Sequence, residues 1–294
     1  MSSQSSALAY KAYEIEELVD IYFYRRAGYL VAHAARLVGL SPNAVSVLAG
    51  VVGAIGGAFI FWPRLAPAGV VLLVLHGIVD SADGQLARMT GTTSELGRIL
   101  DGVAGYVTHA ALYLALVAIV VRDGGSWWIL AVAVASGVST ALQAQMYDYH
   151  RTTYAAYAIK GRVPTELTPS ASAGVFRPLV EVYASSQRTL AGLHRTVEAG
   201  IAGRADGLAV QPDDQRAYRA CFYRLVVLGW NLLGDNVRRY TIAVCVIIGH
   251  PAWFMAVTLA PLNLLLGGLW WGQRAADRRF LAASDAASIR KPRA

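Results

Sequence analysis

Three aspartates and a set of small residues stand in otherwise apolar sequence. They read Asp80-Ser81-Ala82-Asp83-Gly84-Gln85-Leu86-Ala87-Arg88 and, after eight residues, Gly97-x-x-x-Asp101-x-x-x-Gly105. Ionisable side chains at membrane depth are costly, so they mark a functional site by default. On a helix, Asp80, Asp83, Gly84 and Ala87 share one face, and Gly97, Asp101 and Gly105 form a stripe on the next helix. Carboxylates gathered in this way repel one another unless a cation sits between them. A donor set of oxygen alone, with no Cys or His, favours Mg²⁺ or Mn²⁺ over zinc. Mg²⁺ binds substrate phosphates alongside one or two protein carboxylates, so the expected substrate carries phosphate. Gly84 and Ala87 leave room for a nucleotide against the helix. Arg88 either binds a phosphate or closes the helical hairpin through an ion pair.

The elements that must position these residues are membrane helices. The chain is 55 % hydrophobic and only 15 % charged, too apolar for an ordinary soluble domain. Crossing roughly 30 Å of hydrocarbon takes about 20 apolar residues. Stretches near 44–62, 66–88, 97–121, 127–147, 222–248 and 251–272 qualify. The expected fold is an all-α integral membrane protein of six transmembrane helices preceded by an N-terminal amphipathic interfacial helix. Residues 1–43 carry the interfacial helix, and 44–147 carry spans one to four with the acidic motif. Residues 148–220, polar and interrupted by Pro164, Pro169 and Pro178, form a cytoplasmic helical insertion. Residues 221–294 supply spans five and six and a basic tail.

Within the first part, Leu18, Ile21, Tyr22, Tyr29 and Leu30 fall at helical spacing over residues 8–38, with Arg25-Arg26 placed to meet anionic headgroups. The alternative is a core helix of a small cytosolic cap. Ser41 followed by Pro42 predicts the cap of the first span, and Thr92-x-x-Glu95 has capping-box spacing for the third. No cleavable signal peptide is expected, because charged residues run through the first 40 positions. Cys221 and Cys245 have no metal-ligand spacing and read as packing residues.

A net charge of +7 raises the question of nucleic acid, but its distribution answers otherwise. With a cytoplasmic start and six crossings, the outside turns 63–66, 122–126 and about 249–252 hold only Arg64 and Arg122 of the 26 Lys and Arg residues. That is a positive-inside pattern: both termini and the acidic motif lie on the cytoplasmic side, the lipid bilayer is the partner, and no nucleic acid is expected.

The stretch from Asp80 to Asp101 resembles the signature of the CDP-alcohol phosphotransferase family, D-x-x-D-G-x-x-A-R-x(8)-G-x-x-x-D-x-x-x-D. Asp80, Asp83, Gly84, Ala87, Arg88, Gly97 and Asp101 match at the required spacing. Looser similarity extends over residues 12–147 and fades in the insertion. The resemblance implies six transmembrane helices, a homodimer, and a divalent-metal site (Mg²⁺ or Mn²⁺) facing the cytoplasm, here of a bacterial inner membrane. It implies Asp80, Asp83 and Asp101 as metal ligands and Gly84, Ala87 and Arg88 around the CDP moiety. A hydroxyl acceptor would attack a CDP-linked lipid or alcohol donor and release CMP, in phospholipid or related lipid biosynthesis. The alternatives are a non-catalytic CDP-lipid-binding membrane protein of the same fold, or a synthase with a divergent acceptor such as a sphingoid lipid, inositol phosphate or polyprenol phosphate.

The chain departs from the signature at Gly105, where the family carries the aspartate assigned as base and second-metal ligand. A substitute base acts from His109, Asp235 or Asp148, or the acceptor is activated by metal alone, or transfer has been lost and binding remains. His109 reads equally as a hydrogen-bonded packing residue. A second polar cluster, Asn231 and then Gly234-Asp235-Asn236-x-Arg238-Arg239-Tyr240, offers Arg238 or Arg239 for a substrate phosphate, or else as snorkelling arginines with Asp235 as a local partner.

Overall fold

The computed structural model describes residues 13–164 and 177–290, and these are helical throughout apart from turns and two isolated bridges at Arg162–Ala209 and Asp206–Ala209. In chain order the α-helices are α1 (Arg25–Leu37), α2 (Pro42–Phe59), α3 (Ala66–Thr90), α4 (Glu95–Arg122) and α5 (Ile129–Tyr154). They continue with α6 (Arg177–Ala191), α7 (His194–Ala202), α8 (Pro212–Arg224), α9 (Asp235–Ile247), α10 (Trp253–Leu259) and α11 (Pro261–Arg290).

Among the described residues, five helical segments are long and apolar enough to cross a bilayer: 42–59, 66–90, 96–122, 129–159 and 253–284. The expected fifth span, 222–248, is not one continuous helix. After α8 the chain passes through a π-turn (Leu225–Gly229) and a 3₁₀ turn (Trp230–Leu233), becomes extended at Gly234, and restarts as α9. The cause lies in its polar residues. Asn231 and Asn236 find partners on the N-terminal segment, while Arg238 turns back to Asp235 and to the Leu233 carbonyl that the break exposes.

Local chemistry sets the ends of the motif helices. Ser41 Oγ accepts the Ala44 N–H at 3.2 Å with Pro42 at the first helical position, as expected. Helix α3 runs through the whole first motif and stops at Gly91, whose φ of 68° is the left-handed cap geometry glycine allows. The cap of α4 is Ser94 rather than the expected Thr92. Ser94 is extended and its Oγ accepts the Gly97 N–H at 3.0 Å, while Thr92 pairs with the Thr90 hydroxyl at 2.7 Å.

The N-terminal segment differs from one continuous helix over 8–38, of which residues 8–12 lie outside the described residues. A 3₁₀ turn at Tyr13–Ile15 and a π-turn at Asp20–Tyr24 precede α1. The interruption has a physical reason: Glu16 ion-pairs with Arg25, while the Ile15 carbonyl and the Glu17 carboxylate accept hydrogen bonds from Asn231 and Asn236. The segment is thereby strapped onto the broken helix. Helix α1 turns Gly28, Ala32 and Ala35 toward α3 and leaves Leu30 and Leu37 outward, as the π-turn leaves Tyr22.

Among the described residues, the helices of 148–220 pack into a core they share with later parts of the chain. Tyr154, Tyr157, Val197, Ile201, Tyr218 and Phe222 share one apolar cluster with Trp230, Leu269 and Phe280. Inside it, His194 Nδ1 lies 2.7 Å from Asp277 Oδ1 and Nε2 lies 2.8 Å from the Tyr218 hydroxyl, tying α7 and α8 to α11. The free thiols Cys221 and Cys245 sit in packing positions, the second buried.

Candidate active site

Helices α3 and α4 carry the motif, and α2 positions both. A Cβ at Gly53 would overlap the Thr108 hydroxyl, one at Gly57 would stand 2.7 Å from the Leu112 backbone nitrogen, and one at Gly69 would stand 2.7 Å from the Gly56 carbonyl oxygen. Small residues therefore do bring helices together, as membrane packing favours, along α2, which meets α4 at Ala104, Thr108 and Leu112 on the stripe that continues from Asp101 and reaches Asp83 through Ser46. Helices α3 and α4 make no extended contact with each other. The small-residue stripes of α3 and α4 do not touch closely; α2 packs against both helices, and Asp80, Asp83 and Asp101 line one cavity in the gap between them.

That gap holds two adjoining cavities. The first, about 420 Å³, is lined by Asn43, Ser46, Asp83, Gly84, Ala87, Arg88, Gly97 and Asp101 among others. The second, about 270 Å³, is bounded by Asp80, Asp101 and Tyr24, by Glu17 and Asp20 of the N-terminal strap, by Tyr147 and Arg151 of α5, and by Asp235 and Arg239 of α9. Asp83, Gly84, Arg88 and Asp101 line both cavities. Asp83 is buried and accepts a 2.5 Å hydrogen bond from Ser46 Oγ, which orients it. Asp80 lies within hydrogen-bonding reach of Asp101 and beside Arg239. A Cβ on Gly84 would meet only Arg88 Nη1, at 3.4 Å, so the backbone there stays open to the cavity. Among the described residues, no three Asp, Glu, His or Cys side chains converge as a ready-made metal site. The chemistry of the donor set nevertheless fits a hard divalent cation: oxygen ligands only, facing one open cavity.

The two candidate arginines separate. Arg239 lines the second cavity, with Nη1 3.0 Å from Asn236 Oδ1 and its guanidinium over the Tyr24 ring at 5.0 Å. Arg238 lines neither cavity. It is buried and donates to Asp235 at 2.6 Å and to the Leu233 carbonyl at 2.9 Å, bracing the break before α9. His109 also lines neither cavity. Its Nδ1 lies 2.9 Å from the Gly105 carbonyl, so the nitrogen carries the proton and the ring is held against its own helix. Gly105 leaves open space: a Cβ there would meet nothing within 4 Å. Asp148 is exposed and lines neither cavity.

Sequence reasoning does not single out Glu17, Asp20 and Tyr24 as cavity residues, and it leaves the stretch Tyr147–Arg151 between rimming the cavity and facing the headgroups, with the second preferred. Arg151 sits one turn after Tyr147, whose hydroxyl accepts its Nη1 at 2.6 Å; α5 continues past this point instead of ending there. The i, i+4 spacing of Tyr147 and Arg151 was the available signal. Neither Arg151 nor Arg239 forms an ion pair with a carboxylate among the described residues. Burial raises the Glu17 carboxyl above its usual range, the charges of Asp20 and Asp235 add to this, and the Asn236 hydrogen bond and Arg151 oppose it.

The family model described as CDP-alcohol phosphatidyltransferase matches residues 39–189, about half of the chain. A phosphatidylinositol phosphate synthase of Streptomyces avermitilis is 37 % identical over 87 residues, 29 % of this chain and 35 % of that protein. An archaetidylinositol phosphate synthase of Aeropyrum pernix is 30 % identical over 113 residues, 35 % of this chain and 57 % of that protein. The matches thus span between about a third and somewhat over half of these relatives' length. A crystal structure of Mycobacterium tuberculosis phosphatidylinositol phosphate synthase with CDP-DAG bound aligns over 78 % of this chain and 94 % of that chain. The two share 18 % identity, with a TM-score of 0.32. The matched interval contains the entire Asp80–Asp101 motif and the α2 helix that spaces it, and the chain belongs to the CDP-alcohol phosphatidyltransferase family.

Proposed function

We propose that the protein transfers a phosphatidyl group from a CDP-linked lipid to a hydroxyl of a phosphorylated polyol, releasing CMP. The observation that carries the reading is the pair of cavities meeting at Asp83 and Asp101. One side offers Gly84, Ala87 and Arg88 to a nucleotide diphosphate. The other offers Arg151 and Arg239, two guanidinium groups without a carboxylate partner among the described residues. Arginines that face a cavity and are held by Tyr147 and Asn236 match a phosphate dianion, and the relatives named above are a phosphatidylinositol phosphate synthase and an archaetidylinositol phosphate synthase.

In this reading Asp80, Asp83 and Asp101 hold Mg²⁺ or Mn²⁺. The ion, when bound, neutralises the donor diphosphate and the charge on departing CMP. Ser46 keeps Asp83 pointed into the cavity, Arg88 reaches the donor phosphates from the shared wall, and Arg239, steered by Asn236 and Tyr24, fixes the acceptor. The site faces the cytoplasm of a bacterial inner membrane, with both termini on that side and the protein acting as a homodimer. The near absence of Lys and Arg from the outside turns supports the orientation, and the family resemblance supports the dimer.

Purified protein with Mg²⁺ and CDP-diacylglycerol is expected to release CMP with inositol phosphate or glycerol phosphate, and far less with unphosphorylated inositol or serine. Equal rates with the unphosphorylated alcohols would reject the acceptor class. A second reading, a CDP-lipid-binding protein without transfer activity, draws on Gly105; tight donor binding with no CMP release from any acceptor would establish it.

The arginines give a sharper test. A charge-assisted hydrogen-bonding contact contributes about 1.5–3 kcal/mol, so Arg239→Ala should raise the acceptor KM roughly ten- to a hundredfold with donor KM unchanged. Arg238→Ala should instead lower the unfolding temperature in detergent, because it leaves the Leu233 carbonyl and Asp235 unpartnered in the α9 break. A common phenotype for both variants would contradict their separation.

A further inference from the structure

We infer that Glu17, carried by the N-terminal strap, takes the proton of the acceptor hydroxyl in place of the aspartate that Gly105 lacks. The inference rests on the transferase reading above and deepens it.

The placement of Glu17 is built from three sides. Asn236 Nδ2 donates to Glu17 Oε2 at 2.9 Å and to Asp20 Oδ1 at 2.9 Å, so one amide holds two carboxylates side by side. Glu17 Oε1 occupies the space that a Cβ on residue 234 would need. The glycine that breaks the helix before α9 therefore also admits this carboxylate. Finally, Glu17 lines the same 270 Å³ cavity as Asp80, Asp101, Arg151 and Arg239. An acceptor whose phosphate rests on the arginines has its hydroxyls between the motif carboxylates and the strap.

Asp20 shares the Asn236 amide with Glu17, and the remaining carboxylates of that cavity are less suited to the task. Asp80, Asp83 and Asp101 form the motif set, and Asp235 is bound to Arg238 at 2.6 Å. Glu16, next to Glu17, is committed to Arg25. Glu17 has no ion pair among the described residues and only an amide donor. Facing it are Asp20 and Tyr24 on its own segment, Arg151 and Tyr147 on α5, and Asp235 and Tyr240 on α9. Burial and the neighbouring carboxylates raise its proton affinity, which suits a base that works near neutrality.

The step balances as follows. The acceptor O–H bond breaks and its proton passes to a Glu17 carboxylate oxygen. The acceptor oxygen bonds to the lipid-side phosphorus of the donor, and the bond from that phosphorus to the bridging oxygen breaks. CMP departs with the electron pair, and Glu17 later returns the proton to water.

The test compares wild type, Glu17→Gln and Glu17→Asp in CMP release from CDP-diacylglycerol with inositol phosphate as acceptor. Wild-type release is the control for the transferase reading, and its absence overturns both proposals. With the wild type active, Glu17→Gln should lose about 10²–10⁴ in kcat, with both KM values kept within threefold. It should also lose the rise in rate with pH on the acid side, since a base works only once deprotonated. A kcat within threefold of wild type, or a lowered kcat with the acid-side rise intact, overturns the assignment. Should Glu17→Gln fail to bind CDP-diacylglycerol, Glu17→Asp decides. A shifted acid-side rise supports the base role, and a profile identical to wild type overturns it.

Discussion

Asp101→Asn and Asp83→Asn should each lower CMP release by about a thousandfold, corresponding to several kcal/mol of lost transition-state charge stabilisation. Asparagine keeps the size of the side chain and the helix, so what it removes is charge. The two positions are informative together because they line both cavities, where the proposed reaction brings donor and acceptor together. The readout is kcat for CMP release over a Mg²⁺ titration, with Mn²⁺ binding followed by its paramagnetic signal. Both variants should bind Mn²⁺ more weakly and shift the Mg²⁺ requirement upward. Ser46→Ala should show a smaller version of the Asp83 effect, since it only frees a carboxylate that stays in place. An Asp101→Asn protein with wild-type turnover and Mg²⁺ dependence would refute the metal assignment.

Gly57→Ala should destabilise the protein although alanine is the better helix former. In an exposed helix interior the change gains about 1 kcal/mol of propensity. Here the added methyl would stand 2.7 Å from the Leu112 backbone nitrogen and 3.1 Å from its Cα. The obstacle is backbone, which no rotamer change relieves, so α2 and α4 must separate. Overpacking of this kind costs about 1–3 kcal/mol, which outweighs the propensity gain. Gly268→Ala in α11 is the internal control: its Cβ meets nothing within 4 Å, so stability should hold or rise. Thermal unfolding in one detergent compares the two variants. Equal behaviour would mean that the α2–α4 seam is not a close contact. Because α2 sets the gap between the motif helices, Gly57→Ala should also lower turnover more than Gly268→Ala.

Much of the site was legible because its signal is local. Helical periodicity alone puts Asp80, Asp83, Gly84 and Ala87 on one face and Asp101 on another, and all of them line the predicted site. The apolar runs that mark membrane helices are equally local. The caps were half legible: Ser41 was readable from its proline, whereas Thr92 and Ser94 both have cap chemistry and only backbone conformation chooses between them. Gly105 was legible as a missing carboxylate, but its neighbourhood was not. His109 stands one turn further along the helix, yet its ring is tied to the Gly105 carbonyl, and the carboxylates of residues 17 and 20 reach the cavity from the N-terminal strap.

The sequence by itself determined the membrane class, the family motif and which residues share a helix face, since these depend on contacts within a turn or on mean hydropathy. Only the tertiary structure decided what lies opposite each face. Glycines of α2 choose α4 and α3 as neighbours by backbone approach, and this separates Asp83 from Asp101 by a cavity instead of pressing them into a hairpin. The break at Gly234 sends Arg239 inward while Arg238 braces the turn, a division that adjacent identical residues cannot announce. Glu17 and Arg151 reach the same cavity from positions far apart in the chain. Their meeting is a long-range consequence of packing, and no local period encodes it.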